Sequence, residues 1–598
     1  MSARWRTAGA VSALAVPLVL AAAPARAQVP APPPKADTTA AVQDTAVVDS
    51  LVRGVRLPVP NPAVPQGPLP PGSRYTFTRD SILWSGGLTL ADLLTRIPGV
   101  YVLRAGFVGE PEYIQYYGRG GTALEVYWDG MPWVPLGGDT VAVDPGQFPL
   151  TYLRQVDVEV QAGVLRVYLV SERHETPAVR TKVRVQSGAF KSAQYAALFQ
   201  KRMPGGLGLD LGANYVGTDG PNQAAGADAF DIWGKVSWMP TDRVGMSYQV
   251  RRQNLKRDGI GGGQSVPALD GARTDMQFDM FAQSRGDGLG FSGDIGVASS
   301  FWTADSGVTP GRHGVRQVHA GLRYRGSTLG VGAEIRGADA RTPLAADARL
   351  GWTPLSWFVV AGDAGYRRHE HDRTSKWVRG SAGIYYGPLS LVGEAAVRDV
   401  VAAPVFAGDT AQATTDLQLR LGLRSRWLSG NATVQKRDAY APVPYLELPI
   451  IPALGPSPKA TYLVADAYLS PISALTLSGQ YSNPVSGEAA DFQPPQHVRA
   501  ALTLRSKFWR TFRSGAFDLK LQVATERWAE GTGGMSDQGT PIRLPAAQFW
   551  DFQVEVQLVS FTAFWVLRNG TLSEDEFVPG LPYPGNAQYF GASWVFGN

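Results

Sequence analysis

The segment RRHEHDR, residues 367–373, is the densest group of side chains in this chain that could do chemistry: His369, Glu370, His371 and Asp372 offer imidazole and carboxylate ligands for a metal ion. On an extended loop, however, successive side chains point to opposite sides, so such a run closes a metal site only with ligands from elsewhere. A solvated charge run is the simpler expectation. The glycine loop DGIGGGQS, residues 258–265, lacks the Lys-Ser/Thr pair of a phosphate-binding loop and precedes no helix. It is expected to be a flexible loop. The chain has no cysteine, which removes thiolate metal sites, disulfides and lipid anchoring through sulfur. No nucleophile and base stand together as a catalytic centre requires. Neither a catalytic residue, a cofactor nor a resident metal is expected, and whatever this protein does must come from binding and architecture.

The elements that would carry such an architecture change along the chain. Residues 1–27 have Arg4 and Arg6, an apolar run from Ala10 to Ala23 and an Ala25-Arg26-Ala27 site, the pattern of a cleaved export signal. That run is broken by Pro17 and falls short of the roughly 18 residues a spanning helix needs. Cleavage would remove three arginines, lowering the formal charge from +5 to +2, which gives no footing for nucleic acid. Residues 28–72 are rich in Pro, Ala and Val and are expected to be an extended periplasmic tether. Residues 73–177 mix one amphipathic helix with short strands and are expected to form a small α+β domain.

From residue 178 to 598 the pattern is two-residue alternation. In WDFQVEVQL, Trp550, Phe552, Val554, Val556 and Leu558 share one face, and Asp551, Gln553, Glu555 and Gln557 the other. Either a half-exposed soluble sheet or a membrane barrel with a polar lumen would show this. The connections decide between them. Tight ones such as TPLS (353–356), GPLS (387–390), SPIS (470–473) and LVSF (558–561) alternate with long ones such as AYAPVPYLELPIIPALGPSPKA, as on the two rims of an outer-membrane barrel. Trp238, Trp352, Trp357, Trp427 and Trp509 fall near the tight turns, where an interfacial girdle would lie. About 22 strand-like segments, at roughly 10 residues per strand, fit this length. A barrel of that width needs its lumen filled, and the preceding α+β block is the candidate. The fold expected is therefore an all-β membrane protein, a 22-stranded antiparallel barrel with an N-terminal α+β plug.

The helix of that block is read from LTLADLLTRIPGVYV, residues 88–102. Thr89 and Asp92 suit a capping box, Leu90, Leu93, Leu94 and Ile97 share a helical face, and Pro98-Gly99 ends the helix. The apolar stripe is expected to be the plug's own core.

These residues carry a resemblance to a known family, the TonB-dependent outer-membrane receptors. The stretch containing Leu93, Leu94, Pro98 and Gly99 resembles the family's plug motif. YIQYYGRGG, with Arg119 and Gly120, is similar to its Arg-Gly turn, and LEVYWDGMPW, with Asp129 and Gly130, to its Asp-Gly turn. QFPLTYLRQVDVEVQAG is similar to a late plug strand, and the last thirty or so residues to the terminal hairpin. The chain departs from the family pattern where VLRVYLVSER follows Gly163 at once, at Gly585-Asn586, and where Gly597 and Asn598 follow the final aromatic Phe596.

The resemblance implies an energy-coupled importer of the bacterial outer membrane, a monomer that takes a scarce ligand such as a siderophore-type metal chelate or a cobalamin-like molecule. A passive or gated plugged channel and a surface binding or adhesion barrel without transport are the alternatives. Its partners would be a small-molecule ligand, outer-membrane lipid and a periplasmic TonB-type coupling protein that grips an exposed strand by β-addition. Asp44, Thr45, Ala46, Val47 and Val48, in the tether, resemble the segment gripped. Arg104, Phe107, Trp133 and Asp139 would contact ligand from the plug's apical turns.

Overall fold

The computed structural model describes residues 64–65, 67–137, 140–221, 225–261, 265–451, 454–536, 538–571 and 576–597. The export signal, the segment 44–48 and Asp139 lie outside the described residues.

The first domain begins with β1 (Arg74–Phe77) and two short helices, α1 (Arg79–Leu83) and α2 (Leu90–Leu94). Strands β2 (Val100–Arg104) and β3 (Glu112–Tyr116) pair as a separate antiparallel hairpin. They are followed by β4 (Leu124–Trp128), β5 (Met131–Pro132), β6 (Leu153–Gln161) and β7 (Val164–Ser171). These form a five-stranded sheet in the order β1-β6-β7-β4-β5, in which only the β4–β7 pair is parallel. Because β7 follows Gly163 at once, β6 and β7 make a tight hairpin, and β7 takes the sheet's centre.

Helix α2 is shorter than the periodicity suggests, because the turns after Leu94 tighten before Pro98. The Asp92 carboxylate accepts the Thr89 N–H at 3.4 Å and the Leu88 N–H at 2.8 Å, capping two donors the helix leaves open. Leu90, Leu93, Leu94 and Ile97 are fully buried, against Val100, Val102, Val156, Val158 and Val167 of the sheet and hairpin. Gly99 has φ 77°, and a Cβ there would meet the Tyr117 ring at 2.7 Å, so only glycine turns the chain into β2.

The second domain is a closed antiparallel barrel of 22 strands, from Arg180–Gly188 to Ala587–Gly597, which pair with each other to complete the ring. One rim carries two-residue turns at Ser356–Trp357, Gly387–Pro388, Ser473–Ala474 and Val559–Ser560; the other carries the connections 438–459, 529–546 and 569–586. Within TPLS and SPIS the strands run on past the proline. Pro354 and Pro471 sit at register shifts, where a missing N–H is tolerated.

The barrel's burial pattern inverts that of a soluble protein. In the strand Ala411–Arg424, Leu417, Leu419 and Leu421 face outward, Leu419 being 53 % exposed, while Asp416, Gln418 and Arg420 are buried. Trp238, Trp352, Trp357, Trp427 and Trp509 are exposed beside the tight turns, as an interfacial belt requires. Phe596 is exposed as well, and the ladder runs one residue past it, to Gly597 opposite Arg180. No described helix is long and apolar enough to cross a membrane.

Removing the fully buried Leu93 side chain should destabilise the first domain by about 2–5 kcal/mol. Hydrogen exchange on Leu93→Ala should show faster exchange in residues 88–171, with the barrel amides unchanged. Equal protection in both proteins would contradict this account of the core.

Candidate functional site

The first domain fills the lumen through charged contacts that span hundreds of residues. Arg119, held in the turn after β3, makes a bidentate pair with Asp416 at 2.8 Å. Asp129 sits with Gly130 in the two-residue turn between β4 and β5, both at positive φ. Its carboxylate accepts from Ser171 N at 2.9 Å and from the Lys235 ammonium at 2.8 Å. Burial alone would raise its pKa. The Lys235 charge and the Ser171 hydrogen bonds outweigh burial and hold it below the usual range. Arg166 joins Glu125 at 2.8 Å to Asp363 at 3.1 Å, and Arg349 joins Glu159 at 3.0 Å. Gly120 N donates to Tyr440 Oη at 3.1 Å, and Tyr440 Oη donates to Gly118 O at 2.5 Å.

The residues singled out from sequence fall into three settings. Leu93, Leu94, Pro98 and Gly99 build the domain core, whereas Arg119, Gly120, Asp129 and Gly130 lie in the seam with the barrel. Arg104 is committed to Asp92 at 3.1 Å and Glu112 at 2.8 Å, within a network that includes Arg568. Phe107 packs on the barrel wall, edge-on to Phe190 and stacked with Tyr589. Trp133 packs against Phe148 and lies under the Arg273 guanidinium, 3.4 Å from the ring centroid. These three side chains therefore border clefts while being held from behind. His369 is buried, with Nδ1 at 2.9 Å from Thr342 Oγ1 and Nε2 at 2.8 Å from Ser375 Oγ, and burial depresses its pKa to about 4. Its neighbour Asp372 pairs with Arg368 at the surface, so the four residues of that run do not converge.

The two sides of the lumen differ. On the side of strands His497–Ser506 to Ala587–Gly597, the long connections fold inward, and Trp528, Phe549, Phe577 and Tyr583 form a ring cluster that reaches Tyr101 on β2. Apolar packing fills much of that half and leaves a cleft of about 150 Å³ bordered by Arg104, Phe107, Glu110 and Arg568. On the other side, a crevice of about 250 Å³ separates residues 119–143 from the barrel strands between Gly311 and Arg424. Arg119, Arg336, Arg341, Arg367 and Arg398 line it, with Glu125 as the acidic lining residue, and Trp133, Val134 and Tyr440 supply apolar faces. Arg367 pairs with Glu125 at 3.1 Å, and Arg341 donates to the Pro135 and Thr140 carbonyls. Arg398 donates to the Gly163 carbonyl, and no carboxylate among the described residues lies within ion-pair distance of it. Arg119, Arg336 and Arg367 are already paired with carboxylates, so the charge left to attract an anion comes chiefly from Arg341 and Arg398. Its guanidiniums are pre-oriented donors for carboxylate-, phenolate- or phosphate-type oxygens.

Arg341 and Arg398 were not singled out in the sequence, and Arg367 entered only as the first residue of the RRHEHDR run. Each lies 200 or more residues from the segments it faces, and nothing local distinguishes it from any other lumenal arginine. A larger concavity, about 1180 Å³, lies on the barrel's outer wall among Ile295, Leu322, Ile335, Val378 and Val397, where acyl chains would cover it.

Residues 70–163 match the family model for the TonB-dependent receptor plug domain. No curated protein matches the chain. Among solved structures, a mutant of the ferric enterobactin receptor from Pseudomonas aeruginosa superposes with a TM-score of 0.68 at 12% identity, over 88% of this chain and 98% of that one. The siderophore receptor PirA from Acinetobacter baumannii gives 0.64 at 10%, covering 88% and 100%. The copper transporter OprC gives 0.66 at 12%, covering 88% and 100%. At these identities the likeness is one of fold.

Glu110, in the apical turn after β2, generates a pH dependence. It is buried, neither oxygen has a hydrogen-bond partner among the described residues, and Arg257 Nε lies 3.9 Å away. Burial lifts its pKa from 4.5 to about 7; Arg257 opposes the rise, and Glu447 and Asp258 add to it. Between about pH 4.5 and 7 the closed turn thus binds more protons than the open one. Its stabilisation is complete below pH 4.5 and declines as pH rises to 7, by ~3 kcal/mol in all. Hydrogen exchange of residues 105–111, corrected for intrinsic rates, should accelerate from pH 5 to 7.5 in the parent protein and stay flat in Glu110→Gln. Identical profiles would refute the assignment.

Proposed function

We propose that this chain, a member of the TonB-dependent receptor family, is an energy-coupled importer of the bacterial outer membrane whose ligand is a small anionic molecule, a metal chelate of the siderophore type being the best fit. The arginine-lined crevice between plug and barrel carries this reading. A cobalamin-like ligand has less use for a concentration of guanidiniums. At about 250 Å³ the crevice is smaller than the roughly 300–1,000 Å³ of a typical ligand pocket. It would hold the anionic face of a chelate, while the rest lies among the outer connections. Proteins of the same fold include siderophore receptors and a copper transporter, which agrees with a metal-bearing cargo.

Energy would arrive through the tether. Residues 44–48 are the segment we assign to β-addition by a periplasmic TonB-type protein, because their sequence is β-prone and they stand in a tether whose proline-rich composition favours extended chain. Of the apical contacts of this reading, Trp133 borders the crevice, where Arg367 and Arg398 join it; Arg104 and Phe107 border a separate cleft, and Asp139 lies outside the described residues.

The decisive measurement is accumulation of radioiron-loaded catecholate, hydroxamate and carboxylate chelates by cells expressing the protein, with and without a protonophore. One class should accumulate only when the membrane is energised, and deletion of residues 44–48 should abolish accumulation while surface binding persists. Accumulation that survives both treatments would favour a passive channel. Arg398→Gln should weaken chelate binding about 10- to 100-fold, through loss of a charge-assisted hydrogen bond worth about 1.5–3 kcal/mol. Unchanged affinity would remove Arg398 from the site.

A further inference from the structure

The described part of the tether enters the lumen along a groove in the barrel wall whose floor is glycine. A Cβ at Gly67 would stand 3.4 Å from Gly330 Cα, and one at Gly383 3.2 Å from Pro70 Cβ. At Gly351 a Cβ would collide with the Pro68 carbonyl oxygen, so that carbonyl occupies the space glycine leaves. Gly330 and Gly351 are cross-strand partners, so the groove crosses two adjacent strands near the tight-turn rim.

The strap's own composition suits this seat. Pro65, Pro68, Pro70 and Pro71 carry no N–H, so an extended strap can lie on a wall whose backbone groups are already paired without burying unmatched donors. Its carbonyls are served from both sides: Arg74 donates to Pro65 O at 3.0 Å and Arg420 to Pro71 O at 3.2 Å. Val64 is buried with Tyr127, Tyr168 and Val170.

Behind the strap lies a polar cavity of about 90 Å³, bordered by Arg323, Glu334, Asp347, Arg349, Asp363 and Arg379. It stands on the same barrel strands as the arginine-lined crevice. Arg336, which lines the crevice, pairs with Glu334 and Asp347 of this cavity. Crevice and cavity are thus stacked along one side of the lumen, with the strap across the lower end.

We propose that residues 67–72 are a gate strap. Seated on the glycine floor, they close the tight-turn end of a polar passage that begins at the arginine-lined crevice, and lifting them opens that passage while the five-stranded sheet stays intact. The direction of travel rests on the import reading above; the closure itself needs neither ligand nor energy source and is tested without them.

The full-length chain has no native cysteine, so Pro68→Cys gives a unique thiol. Two further substitutions, Gly351→Val and Gly383→Val, disturb the seat at independent points. Gly380→Ala is the control, because its added methyl meets nothing within 4 Å. Correct folding is verified by heat-modifiable mobility. Labelling of the introduced thiol by a water-soluble maleimide and single-channel conductance in potassium chloride are then measured on each purified protein in planar bilayers or proteoliposomes. Both quantities should rise at least tenfold in the valine variant that folds, and neither in the control. Fast labelling with conductance at the parent level would show that the strap closes nothing. Slow labelling in a folded valine variant would show that the glycine floor does not seat it. A reversible tie gives a second test: the oxidised double variant Pro68→Cys with Gly351→Cys should be silent in conductance, and on reduction it should conduct like Gly351→Val, because its added Cβ also meets the Pro68 carbonyl. An oxidised protein that conducts more than its reduced form would overturn the gate.

Discussion

Closure of the hydrogen-bond ladder is the constraint on which the rest of this structure depends. Inside a bilayer no water is available to pair a free N–H or C=O, so a sheet can cross only if its first and last strands meet. Here Arg180–Gly188 meets Ala587–Gly597, and the ring closes at 22 strands. Two results follow from that ring. Its outer surface must be apolar, hence the exposure of Leu417, Leu419 and Leu421, and its lumen is too wide for its own side chains to fill.

The plug answers the second result, and it docks through charge. Asp416, Lys235, Asp363 and Arg349 would stand in a wet lumen if the barrel were empty; with the plug in place they find Arg119, Asp129, Arg166 and Glu159. Buried ion pairs of this kind contribute little net stability, since desolvation offsets much of the attraction, but removing one partner is strongly destabilising. They therefore set register and orientation more than they hold the two domains together. An apolar seam would have gripped the plug without specifying its orientation, and would have offered no hydrated route past it.

Asymmetry within the lumen then turns architecture into a direction. Phe577 of the connection 569–586, with Trp528 and Phe549 from the ends of two barrel strands, packs on Tyr101 and fills much of one half. The other half keeps guanidiniums, small residues and space. On the proposed import reading, a ligand that descended between the outer connections would meet mostly apolar packing on one side and fixed donors on the other, so binding and passage would fall to the same face of the plug.

Much of the fold was legible in the residues themselves, because its determinants are local. Alternation along WDFQVEVQL follows from the two-residue period of a strand, the rims follow from which connections are short, and the buried stripe of α2 follows from helical spacing. Even there, local patterns misjudged extent: α2 is only Leu90–Leu94, and the turns near TPLS and SPIS lie past their prolines. The candidate site was far less legible. Apical residues could be placed near a ligand, but nothing in the neighbourhood of Arg104 reveals its ties to Asp92 and Glu112, and nothing beside Arg398 marks it as the guanidinium that reaches Gly163. The sequence by itself determined a plugged barrel with a polar interior, since periodicity and turn spacing are properties of neighbours along the chain. Only the tertiary structure decided which side of the lumen apolar packing mostly fills, which arginines share a crevice and where the prolines of the tether come to rest, because those depend on strand register around a closed ring, which brings together residues hundreds of positions apart.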